Sequence, residues 1–352
     1  MNNIFKNYFF IFLTIFLINS NVSSEEKKIK IGVLVPMTGE NKELGQLIIK
    51  STRMALEDIN TNILEIYPKD TASDPNQTLK SAQEFIEMGV DIVVGPIFYK
   101  SLLYLDELEN ITFLSLTNKI VDLPKNVISS GINATSQLNT IKKFIKSNDI
   151  KKTIFLMPKQ NYEEEVKRAI KNSNIKLYKT HLYNTEPTKL TKQIEKITNY
   201  KIRKQNLADE IKRVENSDLL DKEKQLEKLE KKYTIGKVNF DSVIISDFDE
   251  SLKSVITSLL YSDVSPKKKY FITFNQWFNN DFLKEKSIQP IYYPSINKKN
   301  LEKFKKKFSN KFNEEANHLS LLSYDLVGLI YYLTLQNDLT NLDKIFRKKI
   351  VK

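Results

Sequence analysis

The sequence predicts an α/β protein of two lobes, each a parallel sheet flanked by helices, with a helical hairpin inserted in the second. Three observations carry this reading. Short β-rich runs alternate with helical stretches from Lys28 onward, the order that builds parallel sheets through right-handed crossovers. The alternation falters after Leu116 and restarts at Lys152, as two similar units would require. A chain of 352 residues is long enough for two domains, each with its own core.

The first run, Ile29–Val35 (IKIGVLV), is almost continuously apolar, the mark of a strand buried on both faces. Pro36 ends it, and the loop Pro36–Gly39 leads to a helix over Leu44–Asn60, with Leu44, Leu47, Ile48, Met54, Ala55 and Ile59 at helical spacing. Asn62–Tyr67 reads as the second strand. Asp74-Pro75 then caps and opens a helix reaching Met88. Asp91–Val94 is the third strand, closed by Gly95-Pro96, and a helix over Ser101–Glu109 precedes the fourth, Thr112–Leu116. In the second half Lys152–Met157, Ile175–Leu182, Asp241–Ser246, Tyr270–Thr273 and Pro290–Tyr293 read as strands. Helices are expected over Tyr162–Lys171, Ser251–Tyr261, Asn300–Asn313 and Ser320–Leu335.

Thr188–Tyr233 breaks the rhythm, being nearly all helix formers without Gly or Pro. Cap-type residues at Asn216-Ser217-Asp218 divide it, so two helices folded as a hairpin are expected. This insertion is either a solvated appendage packing on itself or a docking arm for another protein. The resulting division assigns 27–131 and 291–345 to the first lobe and 132–290 to the second, with 188–233 as the insertion.

Composition removes several functions. The sequence has no Cys and two His, which excludes disulfides, thiol catalysis, thiolate zinc sites and histidine-rich metal clusters. Neither dinucleotide nor P-loop glycine spacing occurs, nor GxSxG, HExxH or an EF-hand loop, so no enzyme, cofactor or metal is expected. The formal charge is +12, but the lysines are scattered over every helix without an arginine-rich stripe, which argues against nucleic acid. Residues 1–24 place Lys6 before a short apolar run and small residues up to Ser24, the pattern of a secretory signal peptide cleaved near Ser24. An uncleaved anchor is the alternative. Export to a periplasm without lipidation is therefore expected.

Ligands of open parallel sheets sit beyond the carboxyl ends of the strands. The loops there offer Thr38, Tyr99, Ser101, Ser115, Thr117, Tyr162, Asp247, Gln276 and Trp277 as a polar-aromatic lining between the lobes.

The segment IKIGVLVPMTGENKELGQLIIKSTRMALEDIN resembles the opening of the type I periplasmic binding proteins, the leucine-binding-protein group. DTASDPNQTLKSAQEFIEMGVDIVVGPIFYKSL continues the likeness. The resemblance implies two lobes joined by three crossings and closing on a ligand. Ser101 in GPIFYKS and Tyr162 in KQNYEEE match the Ser and Tyr that hold the ligand in amino-acid binders. The stretch LSLTNKIVDL keeps only Ser115 and Thr117 where those proteins bind a carboxylate. TFNQWFNN carries Gln276 and Trp277 where an acid would meet the ammonium, leaving Asp247 or Asp249 as substitutes, and Glu163 stands where Gly is common.

Three further segments, FLSLTNKIVDLPKNVISSGIN, FITFNQWFN and the long stretch from Tyr200 to Val255, are similar to penicillin-binding protein activators of α-proteobacteria. That likeness implies a regulator that contacts a peptidoglycan synthase, a penicillin-binding protein, with no transport role. The alternative is a receptor delivering a branched-chain amino acid or similar solute to an ABC permease.

Overall fold

The chain is described by a computed structural model over residues 28–160, 162–274 and 284–336; residues 1–24, expected to be a signal peptide, and Gln276 and Trp277 lie outside these described residues. Two separate parallel sheets form. The first runs in the order β2-β1-β3-β4-β5, from β1 (Ile29–Val35), β2 (Leu64–Asp70), β3 (Ile92–Val94), β4 (Thr112–Ser115) and β5 (Val127–Ser129). The second is ordered β10-β9-β8-β6-β7, from β6 (Thr153–Pro158), β7 (Lys179–Tyr183), β8 (Ser242–Ile245), β9 (Tyr270–Thr273) and β10 (Ile291–Tyr292).

The continuous apolar run of β1 is explained by its two faces. Ile31, Val33 and Val35 join one cluster with Leu326, Val327 and Ile330, while Leu34 joins another with Phe85 and Phe113. Each such fully buried side chain contributes roughly 1.5–3 kcal/mol. Gly32 matters to the second face, because a Cβ there would lie 2.9 Å from both Phe85 and Val93. Helices α1 (Lys42–Ile59) and α2 (Pro75–Glu87) follow the first two strands. Asp74 caps α2 as expected, accepting from the Gln77 backbone N–H, with Pro75 in the first turn.

The chain enters the second lobe through Ser130–Asn133. Here a Cβ on Gly131 would come within 2.4 Å of the Thr117 carbonyl oxygen and 2.5 Å of that of Leu116. Helices α3 (Ala134–Ser147) and α4 (Glu163–Ser173) then pack on one another beside β6. After β10 the chain returns as α9 (Lys298–Phe312) and α10 (His318–Gln336), and α10 lies along α1 in the first lobe. By length and composition α10 could cross a membrane, but Leu326, Val327 and Ile330 are core residues of the first lobe.

Four expectations need correction. The helix expected over Ser101–Glu109 is two short 3-10 turns, Tyr99–Leu102 and Leu105–Glu107. The short β5 was not anticipated, and neither was α3, although Leu138, Ile141, Phe144 and Ile145 stand at helical spacing behind the capping Asn133. Residue 291 belongs to the second lobe, since Ile291 pairs with Phe271 of β9, and the first-lobe segment resumes only beyond it.

The stretch 188–233 holds three helices rather than two: α5 (Pro187–Ile197), α6 (Tyr200–Glu215) and α7 (Lys222–Glu230). Asn199 takes a left-handed conformation, φ 53°, which separates α5 from α6 without Gly or Pro. Helix α5 is part of the lobe itself, since Leu190 and Ile194 enter its core and it packs against α8 (Asp249–Tyr261). Only α6 and α7 form an excursion, around their own cluster of Leu207, Val214 and Leu229.

Candidate functional site

Every strand of both sheets ends toward the same kind of edge, and the loops there carry the candidate residues. In the first lobe the organiser is Asp70, the last residue of β2. Its Oδ1 accepts the backbone N–H groups of Met37 (2.7 Å), Thr38 (3.3 Å) and Ala72 (2.8 Å), and its Oδ2 accepts the Thr38 hydroxyl at 2.6 Å. Partial desolvation raises its pKa, but the bonds from Thr38, Met37 and Ala72 outweigh this and the net shift is downward. Thr38 is exposed, and its hydroxyl is engaged in holding the loop after β1 against the end of β2.

The hydroxyls after β3 and β4 divide into engaged and unengaged. Ser115 is fully buried and donates to the Pro96 carbonyl at 2.8 Å, tying β4 to the Gly95-Pro96 turn, while its oxygen accepts the Thr117 N–H at 3.2 Å. Gly95 is required at that turn: its φ is +109° and a Cβ would meet the Leu34 carbonyl oxygen at 2.2 Å. Thr117 is buried and accepts the Lys119 N–H at 3.3 Å. Ser101 is 1 % exposed and its hydroxyl has no partner. Tyr99 is half-buried, with its hydroxyl donating to the Asp122 carbonyl at 3.3 Å. It walls a cavity of about 250 Å³ with Leu102, Leu103, Asp106, Asp122, Leu123 and Pro124, all residues of the first lobe.

The second lobe gathers its groups around Asp247, just beyond β8 and 3 % exposed. Its Oδ2 accepts the Tyr183 hydroxyl at 2.5 Å, and its Oδ1 accepts the Phe248 N–H at 2.9 Å and the Tyr162 hydroxyl at 3.4 Å. The Tyr162 hydroxyl also points at the Ser246 carbonyl, 3.2 Å away, and its ring meets Phe248 edge-on. Burial raises the Asp247 pKa, and the three hydrogen bonds only partly oppose this. The same burial, reinforced by the Asp247 charge, pushes both tyrosine hydroxyls far up, so each remains a donor. At the end of β9 the hydroxyl of Thr273 is buried and without a partner.

The lobes touch around Glu165. Glu165, in the first turn of α4, is 8 % exposed and accepts the Ile120 backbone N–H at 2.6 Å through Oε1. Ile120 lies in the loop joining β4 to β5 of the first sheet, yet its side chain packs into the second lobe's core. Desolvation raises the Glu165 pKa, against the pull of the Ile120 N–H and of Lys119.

Sequence reasoning therefore missed Asp70, Glu165, Tyr183 and Thr273. Asp70 and Thr273 were findable as polar residues closing strands. Glu165 was hidden within the run Glu163-Glu164-Glu165, where only the third acid turns inward, and Tyr183 fell just outside the strand expected to end at Leu182, whereas β7 ends on it. No group of three metal-binding side chains occurs among the described residues.

A family model described as "periplasmic binding protein" matches residues 28–203, half of the chain. The chain belongs to the periplasmic binding protein family. The family is one of binding proteins, and membership implies a periplasmic or extracellular location. No curated protein matches the chain in sequence. Among solved structures, a putative branched-chain amino acid ABC transporter from Rhodospirillum rubrum superposes with a TM-score of 0.61 at 11% identity, covering 91% of this chain and 88% of that one. A substrate-binding protein from Desulfitobacterium hafniense in complex with Leu gives 0.53 at 13% identity, with 91% and 88% covered. The C-domain of LpoA from Haemophilus influenzae, a regulator of PBP1A, gives 0.53 at 14% identity, with 88% of each chain covered. At such identities these likenesses establish the two-lobe fold, and the same architecture is seen carrying transport and regulation.

Proposed function

We propose that this protein is an exported, non-enzymatic regulator of peptidoglycan synthesis that works by contacting a penicillin-binding-protein-type synthase in the periplasm. The observation that carries this reading is the state of Asp247. An amino-acid receptor needs a carboxylate to compensate a ligand's buried ammonium. Both oxygens of Asp247 already accept bonds, from Tyr183 on one side and from Tyr162 and the Phe248 N–H on the other, and the residue is 3 % exposed. Tyr162, the residue matched to a ligand-holding tyrosine, is likewise turned onto the protein's own groups. The LpoA likeness is consistent with a binding-protein fold serving a synthase.

A second reading keeps the receptor function, for a branched-chain amino acid or similar solute passed to an ABC permease. It is favoured by Ser101 and Thr273, whose buried hydroxyls lack partners and suit a bound solute.

A thermal-shift panel of amino acids separates the two. A ligand that binds only the folded form stabilises it by about 2.7 kcal/mol at a hundred times its Kd. The regulator reading expects no member of the panel to move the melting temperature, and expects purified peptidoglycan synthase to be retained on the immobilised protein. A clear shift with one amino acid, with no retention of synthase, overturns it in favour of the receptor.

A further inference from the structure

The loop between β4 and β5 is anchored in one lobe and caught by the other. Its two ends belong to the first lobe. At the near end the Ser129 hydroxyl donates to the Thr117 carbonyl at 2.8 Å, and the Thr117 N–H donates to the Ser115 hydroxyl oxygen at 3.2 Å. At the far end the Tyr99 hydroxyl donates to the Asp122 carbonyl at 3.3 Å. Asp122 turns the chain there in a left-handed conformation, φ 53°, which aspartate adopts more readily than most residues. Between these ends Lys119 holds its Nζ 5.9 Å from the centre of the Tyr99 ring, a further tie to the first lobe.

The middle of the loop belongs to the second lobe. Ile120 packs against the cluster that contains Leu138, Met157 and Val166. Its N–H donates to Oε1 of Glu165 at 2.6 Å, and the Val121 N–H also favours the charged form of that carboxylate.

Glu165 depends on this loop. It is 8 % exposed, its Oε2 is buried and accepts no hydrogen bond, and none of its hydrogen bonds comes from its own lobe. A carboxylate so buried is costly unless donors and cations are aimed at it. Here they are the Ile120 and Val121 N–H groups and Lys119, all on the loop, with Arg168 the one cation from its own helix. Parting the lobes would strip Glu165 of every group except Arg168.

We propose that residues 117–122 are an inter-lobe strap, with Glu165 as its catch, that holds the two lobes together at a fixed angle through contacts of the chain itself. A loop pinned at both ends loses little freedom when its middle is caught. A hydrogen bond to an ionised carboxylate is roughly twice as strong as a neutral one, which suits a catch. Hinge opening of the lobes would require its release. Glu165 is thus a positioning residue, and the inference holds whichever function the protein serves.

The sequence has no Cys, so two introduced cysteines carry spin labels without background. Lys100→Cys in the first lobe and Lys159→Cys in the second, both exposed, report the inter-lobe distance by pulsed electron resonance in the full-length chain. The parent should show one narrow distance. Glu165→Ala should add a second population and raise the ratio of released to strapped molecules roughly tenfold or more. Glu165→Gln, neutral and of the same size, should fall between the two. Ile120→Ala keeps the N–H but removes the packing, and should also populate the second distance. Should Glu165→Ala fail to fold, these last two variants decide. A parent that already shows two distances overturns the strap, as do folded variants that melt lower yet keep the parent's single distance. No readout involves a synthase or an amino acid, so this inference and the regulator reading can fail separately.

Discussion

Asp70 and Asp247 both stand at the carboxyl ends of strands, one in each lobe, and have opposite characters. Asp70 closes the edge strand β2 and Asp247 lies just beyond the central strand β8, and each gathers hydrogen bonds from neighbouring segments. Asp70 sits half-exposed and receives three backbone N–H groups and a hydroxyl, so ionisation is favoured. Asp247 is buried beneath two tyrosines with a single backbone donor, and its charge is disfavoured. The lesson is that the strand-end position alone does not set the chemistry. Water access and the number of backbone donors do, and they make one aspartate a loop clamp and the other the centre of a closed polar knot.

The largest expected effect is on the buried side. Asp247→Ala leaves the Tyr183 hydroxyl, fully buried, without an acceptor and opens a small void, at a cost of about 3 kcal/mol. Asp70→Ala frees donors that water can reach, costing about 1 kcal/mol. Urea unfolding of the two variants checks the order, and equal losses would erase the distinction between clamp and knot.

Acid titration sharpens the same contrast through its sign. Asp70, with its folded pKa depressed, contributes stability above its unfolded value near 4, and loses it as pH falls through the folded pKa. Asp247, with its folded pKa raised, contributes stability below that unfolded value, and loses it as pH rises through the folded pKa. The stability gap between parent and Asp70→Asn should therefore close on acidification. Across the pH range above about 4, the gap between parent and Asp247→Asn should move against the parent as pH rises. Gaps that move together with pH contradict the assignment.

The smallest effect belongs to Tyr162→Phe. Its two hydrogen bonds are long, at 3.2 and 3.4 Å, and Asp247 retains Tyr183 and the Phe248 N–H, so a loss under about 1 kcal/mol is expected in the urea midpoint. A larger loss than that of Asp70→Ala would make Tyr162, rather than Tyr183, the principal partner of the knot.

Where chemistry is local, the sequence was readable. The doubly buried β1 followed from its nearly continuous apolar run, and the start of α2 from Asp74-Pro75. The left-handed Asn199 was not readable, because Asn sits inside an otherwise uniform helical pattern and only the packing of α5 on α8 makes a break necessary. The candidate residues illustrate the same divide. Their placement at strand ends follows from topology, but their engagement is long-range: Ser115 reaches Pro96, Tyr162 reaches Asp247, and Glu165 reaches Ile120 in the other lobe. No spacing rule joins such pairs. Gln276 and Trp277 lie outside the described residues and stay as expectations from the sequence.

The crossing at Gly131 has a mechanical consequence. Its backbone lies so close to the Leu116 and Thr117 carbonyls that even a methyl group would collide with them. Gly131→Ala would therefore act as a shim, pushing this crossing away from the loop after β4 and changing the angle at which the chain enters the second lobe.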